Sequence, residues 1–339
     1  MKALQFIEVG KPLQIADVSK PSAGPGGLVF KVKACGICAS DLHAVEIPGL
    51  LRPGNILGHE YSGEVVEVGS GVEGWKVGDR LTALPAKPCG ACVACRTDRH
   101  SECSQIVMQG FDLRMPGAYA EYSTCMAGLA MKISEVLSNN DAATIEPLAV
   151  GLNAWKTAHV PNGASVLIVG AGIIGLAMAK WANFFGAGAV IMSEMVSTRI
   201  ARARNLNVGV VIDAAQCANP VAEFERLTGD KPSVIFECVG RPMIAKLIEI
   251  APSNSHLVLV GAGMQPENFT VVSAALKRLR MSFPLAYVPG DFRFVQRMLE
   301  ADRVSVDGLV TATITLDEAP AMFQNLGKPN DHCKVLITP

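Results

Sequence analysis

The chain has 339 residues, 50% of them hydrophobic, and its 30 Lys and Arg against 31 Asp and Glu leave a net charge of -1. That length accommodates about two or three domains with sizeable cores. The balanced charge, with no basic run, gives no support to a nucleic-acid surface or an acidic tail, and favours small-molecule partners.

At the N-terminus, Met1 to Phe6 is interrupted by Lys2 and Gln5 and lacks the charged-then-apolar pattern of a secretory signal. The expected compartment is cytoplasmic, which ten cysteines also suit if several serve as thiolates. Up to about residue 150, short runs such as Leu28–Ala34, Gly63–Val68 and Arg80–Ala83 are separated by Gly, Pro and Asp, the pattern of a twisted β-rich domain. Two segments of this part carry potential metal ligands: Cys35-Gly36-Ile37-Cys38-Ala39-Ser40-Asp41-Leu42-His43 and Gly58-His59-Glu60. Thiolate and imidazole suit Zn²⁺, and a reactive zinc site keeps three protein ligands with one position open. Taken singly these residues are ambiguous, because a cysteine among apolar neighbours is often inert and a histidine beside a turn is often only hydrogen-bonded.

Next come Cys89, Cys92, Cys95 and Cys103 at the spacing C-x2-C-x2-C-x7-C. Four thiolates on a short irregular segment supply the closed tetrahedral shell of a structural zinc. Disulfides across x2 loops would be strained, and the bacterial iron–sulfur run has three residues before its last cysteine. A site saturated by four sulfurs holds a loop together and catalyses nothing, so the chemistry belongs elsewhere.

From Ala164 the rhythm changes to strands, Val166–Val169, Val190–Met192, Val210–Ile212, Val234–Phe236 and Leu257–Val260, alternating with helical stretches. This predicts βαβ units on a parallel sheet. The apolar stretch Val166–Met192 is long enough to span a bilayer. Its five glycines, with Lys180 and Asn183, divide it instead into strand, helix and strand. Within it Gly170-Ala171-Gly172-Ile173-Ile174-Gly175 follows a strand and opens a helix, the context in which G-x-G-x-x-G binds a dinucleotide. Gly170 permits the turn, Gly172 lets a pyrophosphate approach, and Gly175 lets helix pack on strand. Glu194, about 20 residues further on, is placed to accept the adenosine ribose hydroxyls and so favours NAD. Ser193 and Arg199 stand against this, since they suit a 2′-phosphate if Glu194 turns away. The last stretch has helical pattern around Phe294–Ala301 and from Asp317, a run at Thr311–Thr315 and a closing strand Lys334–Thr338.

These elements, in this order, resemble the zinc-dependent alcohol dehydrogenases of the medium-chain dehydrogenase/reductase family over essentially the whole chain. Gly58-His59-Glu60-Tyr61-Ser62-Gly63 through Gly69 and Val72 matches the zinc signature G-H-E-x2-G-x5-G-x2-V. The four-cysteine lobe, Gly117-Ala118-Tyr119-Ala120-Glu121-Tyr122, Glu146-Pro147-Leu148 and the nucleotide fingerprint follow. The resemblance implies an α/β fold: a GroES-like β-rich catalytic domain, residues 1–150 and 290–339 with a lobe at 87–104, and a Rossmann domain, residues 151–289. It implies two Zn²⁺ per chain, NAD, a small-molecule alcohol or ketone substrate, no membrane partner, and a homodimer or homotetramer.

Carried over residue by residue, Cys38 and His59 bind the catalytic zinc. Glu146 is the third resting ligand, as in sorbitol, threonine and butanediol dehydrogenase branches, and Glu60 is a neighbouring or exchanging carboxylate. The metal acidifies the alcohol, and Ser40 relays its proton to His43, histidine being the side chain that changes charge near neutrality. Asp41 backs the His59 imidazole. Ile174 packs on the nicotinamide, Val260 joins the cofactor-binding residues, and Lys334 reaches the pyrophosphate. Asp98 stands where the lobe often has glycine, and tolerates the left-handed backbone such a turn needs. Two other readings remain: a zinc-free quinone or enone reductase using NADPH, which should lack the Cys38, His59 and four-cysteine ligands, and a non-enzymatic zinc module, which the nucleotide fingerprint disfavours.

Overall fold

In the computed structural model, which describes all of residues 1–339, the β-rich part of the chain is a sheet that ends at the candidate metal ligands. Its strands run in the order Val310–Thr315, Lys334–Thr338, Gly27–Gly36, Glu60–Val68, Arg80–Ala83 and Ala130–Lys132, with Tyr122–Met126 also pairing with Gly27–Gly36. All pairs are antiparallel except the first. Leu28, Phe30 and Val32, alternate residues of the long strand, are buried with Tyr61, Val65 and Leu81 in one core. Register shifts at Val29/Phe30 and Val32/Ala34 mark bulges, which bend a strand locally. Beyond them Gly36 pairs with Glu60 on one side and Leu336 on the other, so three strands deliver their ends to one place. Gly36 has to be glycine there, because a Cβ would lie 2.0 Å from Glu60 Oε2.

This unit comprises Met1–Glu146, Val288–Val306 and Val310–Pro339; Pro147–Tyr287 with Asp307–Leu309 form a second. The second unit holds a six-stranded parallel sheet. Its order is Val210–Asp213, Ala189–Glu194, Ser165–Val169, Val234–Glu237, His256–Leu259, Arg280–Ser282. In chain order that is third, second, first, fourth, fifth, sixth, the doubly wound Rossmann arrangement. The order reverses between Ser165–Val169 and Val234–Glu237, where such sheets open a crevice at their carboxyl ends.

Five of these strands are the ones the sequence pattern predicts. The sixth, Arg280–Ser282, is three residues long and carries no apolar run. Val166–Met192 forms strand Ser165–Val169, helix Ile173–Phe184 and the start of strand Ala189–Glu194. No helix is long and apolar enough to cross a membrane. Trp181 anchors its helix fully buried, its indole N–H donating to the Leu148 carbonyl at 2.9 Å.

Candidate active site

Cys38 leaves the end of the long strand and caps the helix Ala39–Ala44, while His59 and Glu60 open the neighbouring strand. One ligand atom from each of Cys38, His59 and Glu60 lies within 4.8 Å of the others. Behind them Asp41 is fully buried, with Oδ1 facing His59 Nδ1 across 3.3 Å, and neither of these atoms has another hydrogen-bond partner. The imidazole nitrogen left for a metal is therefore Nε2, the arrangement of a carboxylate-oriented metal histidine. Burial alone would lower the His59 pKa, but the facing Asp41 carboxylate raises it well above the ordinary value. Metal binding then has to expel a proton. Thiolate, imidazole and carboxylate are the donors Zn²⁺ takes in reactive sites, so the residues fit the ion. Phe111 lies against the group, its ring centroid 5.8 Å from that of His59. Ser40 and His43 are both exposed on the short helix, three residues apart and hence on one face.

Two of the expected residues have particular surroundings here. Lys334, expected at a pyrophosphate, is 2% exposed. Its ammonium donates to the Ile37 carbonyl at 2.9 Å and to both Glu60 oxygens at 2.8 and 2.5 Å. All three of its N–H groups have partners, because the closing strand runs beside Gly36 and brings Lys334 under Glu60. Glu146, expected as a resting ligand, is not in the 4.8 Å group, and Glu60 is. It lies buried in the first turn of helix Ile145–Ala158, where its charge helps raise the Lys334 pKa.

The four cysteines gather as their spacing predicts, with one sulfur from each within 4.8 Å of the rest and none disulfide-bonded. Cys95 Sγ lies 3.8 Å from Cys89 Sγ and 3.4 Å from Cys92 Sγ. Four sulfurs each about 2.3 Å from a central zinc stand about 3.8 Å apart, so the cage has the size of the ion. The backbone N–H groups of Cys89 and Cys92 donate to the Cys103 and Cys89 sulfurs, both at 3.4 Å. N–H groups of Ala91 and Cys92 pull the Cys89 thiol down to about 6, while burial pushes Cys95 up to about 12. Asp98 takes φ 60°, as expected of a residue replacing glycine in this turn. Replacing Cys95 by Ala should remove one zinc per chain and lower the thermal midpoint, with activity falling only as the chain unfolds; metal analysis beside a melting curve checks this.

In the second unit the fingerprint glycines take distinct roles. Gly170 has φ +100°, and a Cβ on Gly175 would sit 1.9 Å from the Gly170 carbonyl oxygen. A Cβ on Gly172 would meet no protein atom within 4 Å, which leaves the backbone open to a ligand at the start of the helix. Ile174 is half-buried in that helix's first turn. Glu194 Oε2 accepts the Ala171 N–H at 2.9 Å, and Oε1 accepts those of Met195 and Val196 at 2.7 and 2.9 Å. The acid thus also ties down the loop that would hold the phosphates. Arg199 keeps a buried Nε with no hydrogen-bond partner. Val260 donates its N–H to the Glu237 carbonyl at 2.9 Å, and the Glu237 carboxylate accepts from Val239 and Gly240 at 2.6 and 2.8 Å. Glu237, which the sequence pattern did not mark, therefore ties together the two turns beside Gly170.

Two family models match the chain. Residues 24–135 match the alcohol dehydrogenase GroES-like domain, and residues 174–301 match the zinc-binding dehydrogenase family. The chain belongs to the zinc-dependent medium-chain alcohol dehydrogenases. Sorbitol dehydrogenase of Halalkalibacterium halodurans is 29% identical, covering 100% of this chain and 99% of its own length. The crystal structure of 2R,3R-butanediol dehydrogenase from Bacillus subtilis superposes with a TM-score of 0.88 at 28% identity, covering 100% of this chain and 99% of that one. A Sinorhizobium meliloti 1021 protein described as a zinc-binding dehydrogenase and bound to NADP gives 0.87 at 28%, with coverage of 100% and 99%. This dehydrogenase is an oxidoreductase that interconverts an alcohol and its carbonyl compound.

Proposed function

We propose that this dehydrogenase oxidises a secondary alcohol or vicinal diol with NAD and reduces the matching ketone. The observation that carries the reading is the convergence of Cys38, His59 and Glu60 with Asp41 behind His59. Zinc there supplies a Lewis acid that acidifies the substrate hydroxyl, and the nicotinamide supplies the hydride acceptor. The chain's own residues do the rest. Cys38 and His59 hold the metal, and Asp41 fixes the imidazole. Ser40 takes the substrate's proton and His43 passes it to solvent. Glu60 has both oxygens on Lys334 and is largely neutralised by it. That is the argument for Glu146, from the Glu146-Pro147-Leu148 motif, as the third resting ligand, with Glu60 the exchanging one. Zinc content of Glu146→Gln against Glu60→Gln separates the two roles.

The substrate class rests on that motif and on the sorbitol and butanediol dehydrogenases among the similar proteins. It is tested by NAD reduction across primary, secondary, vicinal-diol, polyol and cyclic alcohols. Secondary alcohols or vicinal diols should exceed primary ones by about tenfold or more in kcat/KM. Equal turnover of primary alcohols would refute the assignment. Glu194 supports NAD, since its carboxylate opposes a 2′-phosphate, whereas Arg199 would welcome one. The expected kcat/KM is higher with NAD, and a preference for NADP would reverse the assignment of Glu194. A homodimer or homotetramer fits the exposed Val271, Leu276, Phe283 and Leu285 around the outer strand Arg280–Ser282, an apolar face that a second copy would cover.

A further inference from the structure

Tyr119 is fully buried, and its hydroxyl donates to Asp41 Oδ2 at 2.6 Å, with the Gly36 carbonyl 3.2 Å away. The same carboxylate oxygen accepts the Cys38 backbone N–H at 3.2 Å. Oδ2 is thus held from two sides, which leaves Oδ1 turned toward His59 Nδ1 at 3.3 Å. The tyrosine ring is itself fixed in place. Gly58, the residue before His59, has φ +98°, and a Cβ there would lie 2.5 Å from Tyr119 Cδ1. Phe323 packs edge-on against the other part of the ring, with centroids 6.3 Å apart. Phenylalanine would fill this space equally well. A buried hydroxyl is tolerated only when it is hydrogen-bonded, and here it makes a short bond to a charged partner.

We propose that Tyr119 is a positioning residue for the metal-binding histidine: its hydroxyl locks Asp41, and Asp41 locks the His59 imidazole with Nε2 presented to the metal. The inference rests on the reading of Cys38 and His59 as the reactive zinc site. Groups that hold a metal-bound histidine typically contribute about 10–100-fold to metal affinity. Tyr119 acts one step further out, so the lower end of that range applies.

The test is zinc release from the purified holoenzyme to excess dipicolinate, comparing wild type with Tyr119→Phe. The four-cysteine zinc serves as an internal control. The variant should lose the reactive zinc about 10-fold faster, with the four-cysteine zinc released at the wild-type rate. Its thermal midpoint should be nearly unchanged, because the ring and its packing remain. In Asp41→Asn, adding Tyr119→Phe should change the release rate no further, since both act through one contact. Unchanged release from Tyr119→Phe would overturn the proposal. So would faster loss from both sites with a lower midpoint, which marks packing alone. Wild-type protein that holds zinc only at the four cysteines would overturn the reactive-site reading together with it.

Discussion

Replacing Cys38 by Ser should abolish alcohol-dependent NAD reduction, by about 10³-fold or more, while the chain stays folded and keeps its four-cysteine zinc. The magnitude follows from the Lewis acid: several kcal/mol of transition-state stabilisation disappear with the ion, and each 1.36 kcal/mol is about tenfold. A serine hydroxyl at neutral pH does not replace a thiolate on zinc, and the remaining His59 and carboxylate make an incomplete set. The fold should not suffer. Cys38 caps the helix Ala39–Ala44, and serine is among the best residues at a helix N-cap. The Asp41 carboxylate still accepts the backbone N–H of residue 38, since that bond does not involve the side chain. Metal analysis should read one zinc per chain against two in the wild type, with superimposable circular dichroism. Turnover retained by this variant would refute the zinc mechanism outright.

What the sequence made legible is what is local in it. The four cysteines, the strand-turn-helix fingerprint and Gly58-His59-Glu60 each lie within a few residues of one another, and backbone geometry over so short a span leaves few arrangements. Five strands of the parallel sheet announced themselves as β-branched apolar runs because both their faces are buried. The sixth did not, since Arg280–Ser282 lies at the sheet edge and is exposed or half-buried along its length. The site's long-range chemistry was hidden for a different reason. Lys334 and Glu60 are 274 positions apart and Tyr119 and Asp41 are 78 apart, so no spacing rule joins them. Their meeting depends on the order of strands around Gly36. One signal was available: a tyrosine between alanines in Gly117-Ala118-Tyr119-Ala120 carries a hydroxyl that a buried position has to satisfy. Glu146 shows the converse limit. A motif named it as a ligand, but its distance from the metal group is a matter of helix placement.

Replacing Lys334 by Met should destabilise the protein by about 3–5 kcal/mol, the usual cost of leaving one member of a buried ion pair alone. Both partners are 1% exposed at the side chain. Glu60 makes no salt bridge to any other lysine or arginine, and the Ile37 carbonyl loses its donor as well. Burial by itself would lower the lysine's pKa, yet the adjoining Glu60 carboxylate raises it above its ordinary value of 10.5. A lysine whose folded pKa is raised contributes in full below its unfolded pKa and loses that contribution only as pH rises through the folded value. The stability difference between wild type and variant should therefore be flat from about pH 7 to about pH 9 on the lysine's account. Denaturant unfolding at both ends of that window measures it. The double variant Glu60→Gln with Lys334→Met should recover most of the loss, because the uncompensated charge is gone. A single Lys334→Met variant as stable as wild type would mean that another cation, the zinc, holds the Glu60 carboxylate in the folded chain. Glu60 would then ligate zinc at rest, and the assignment of that role to Glu146 would fall with it.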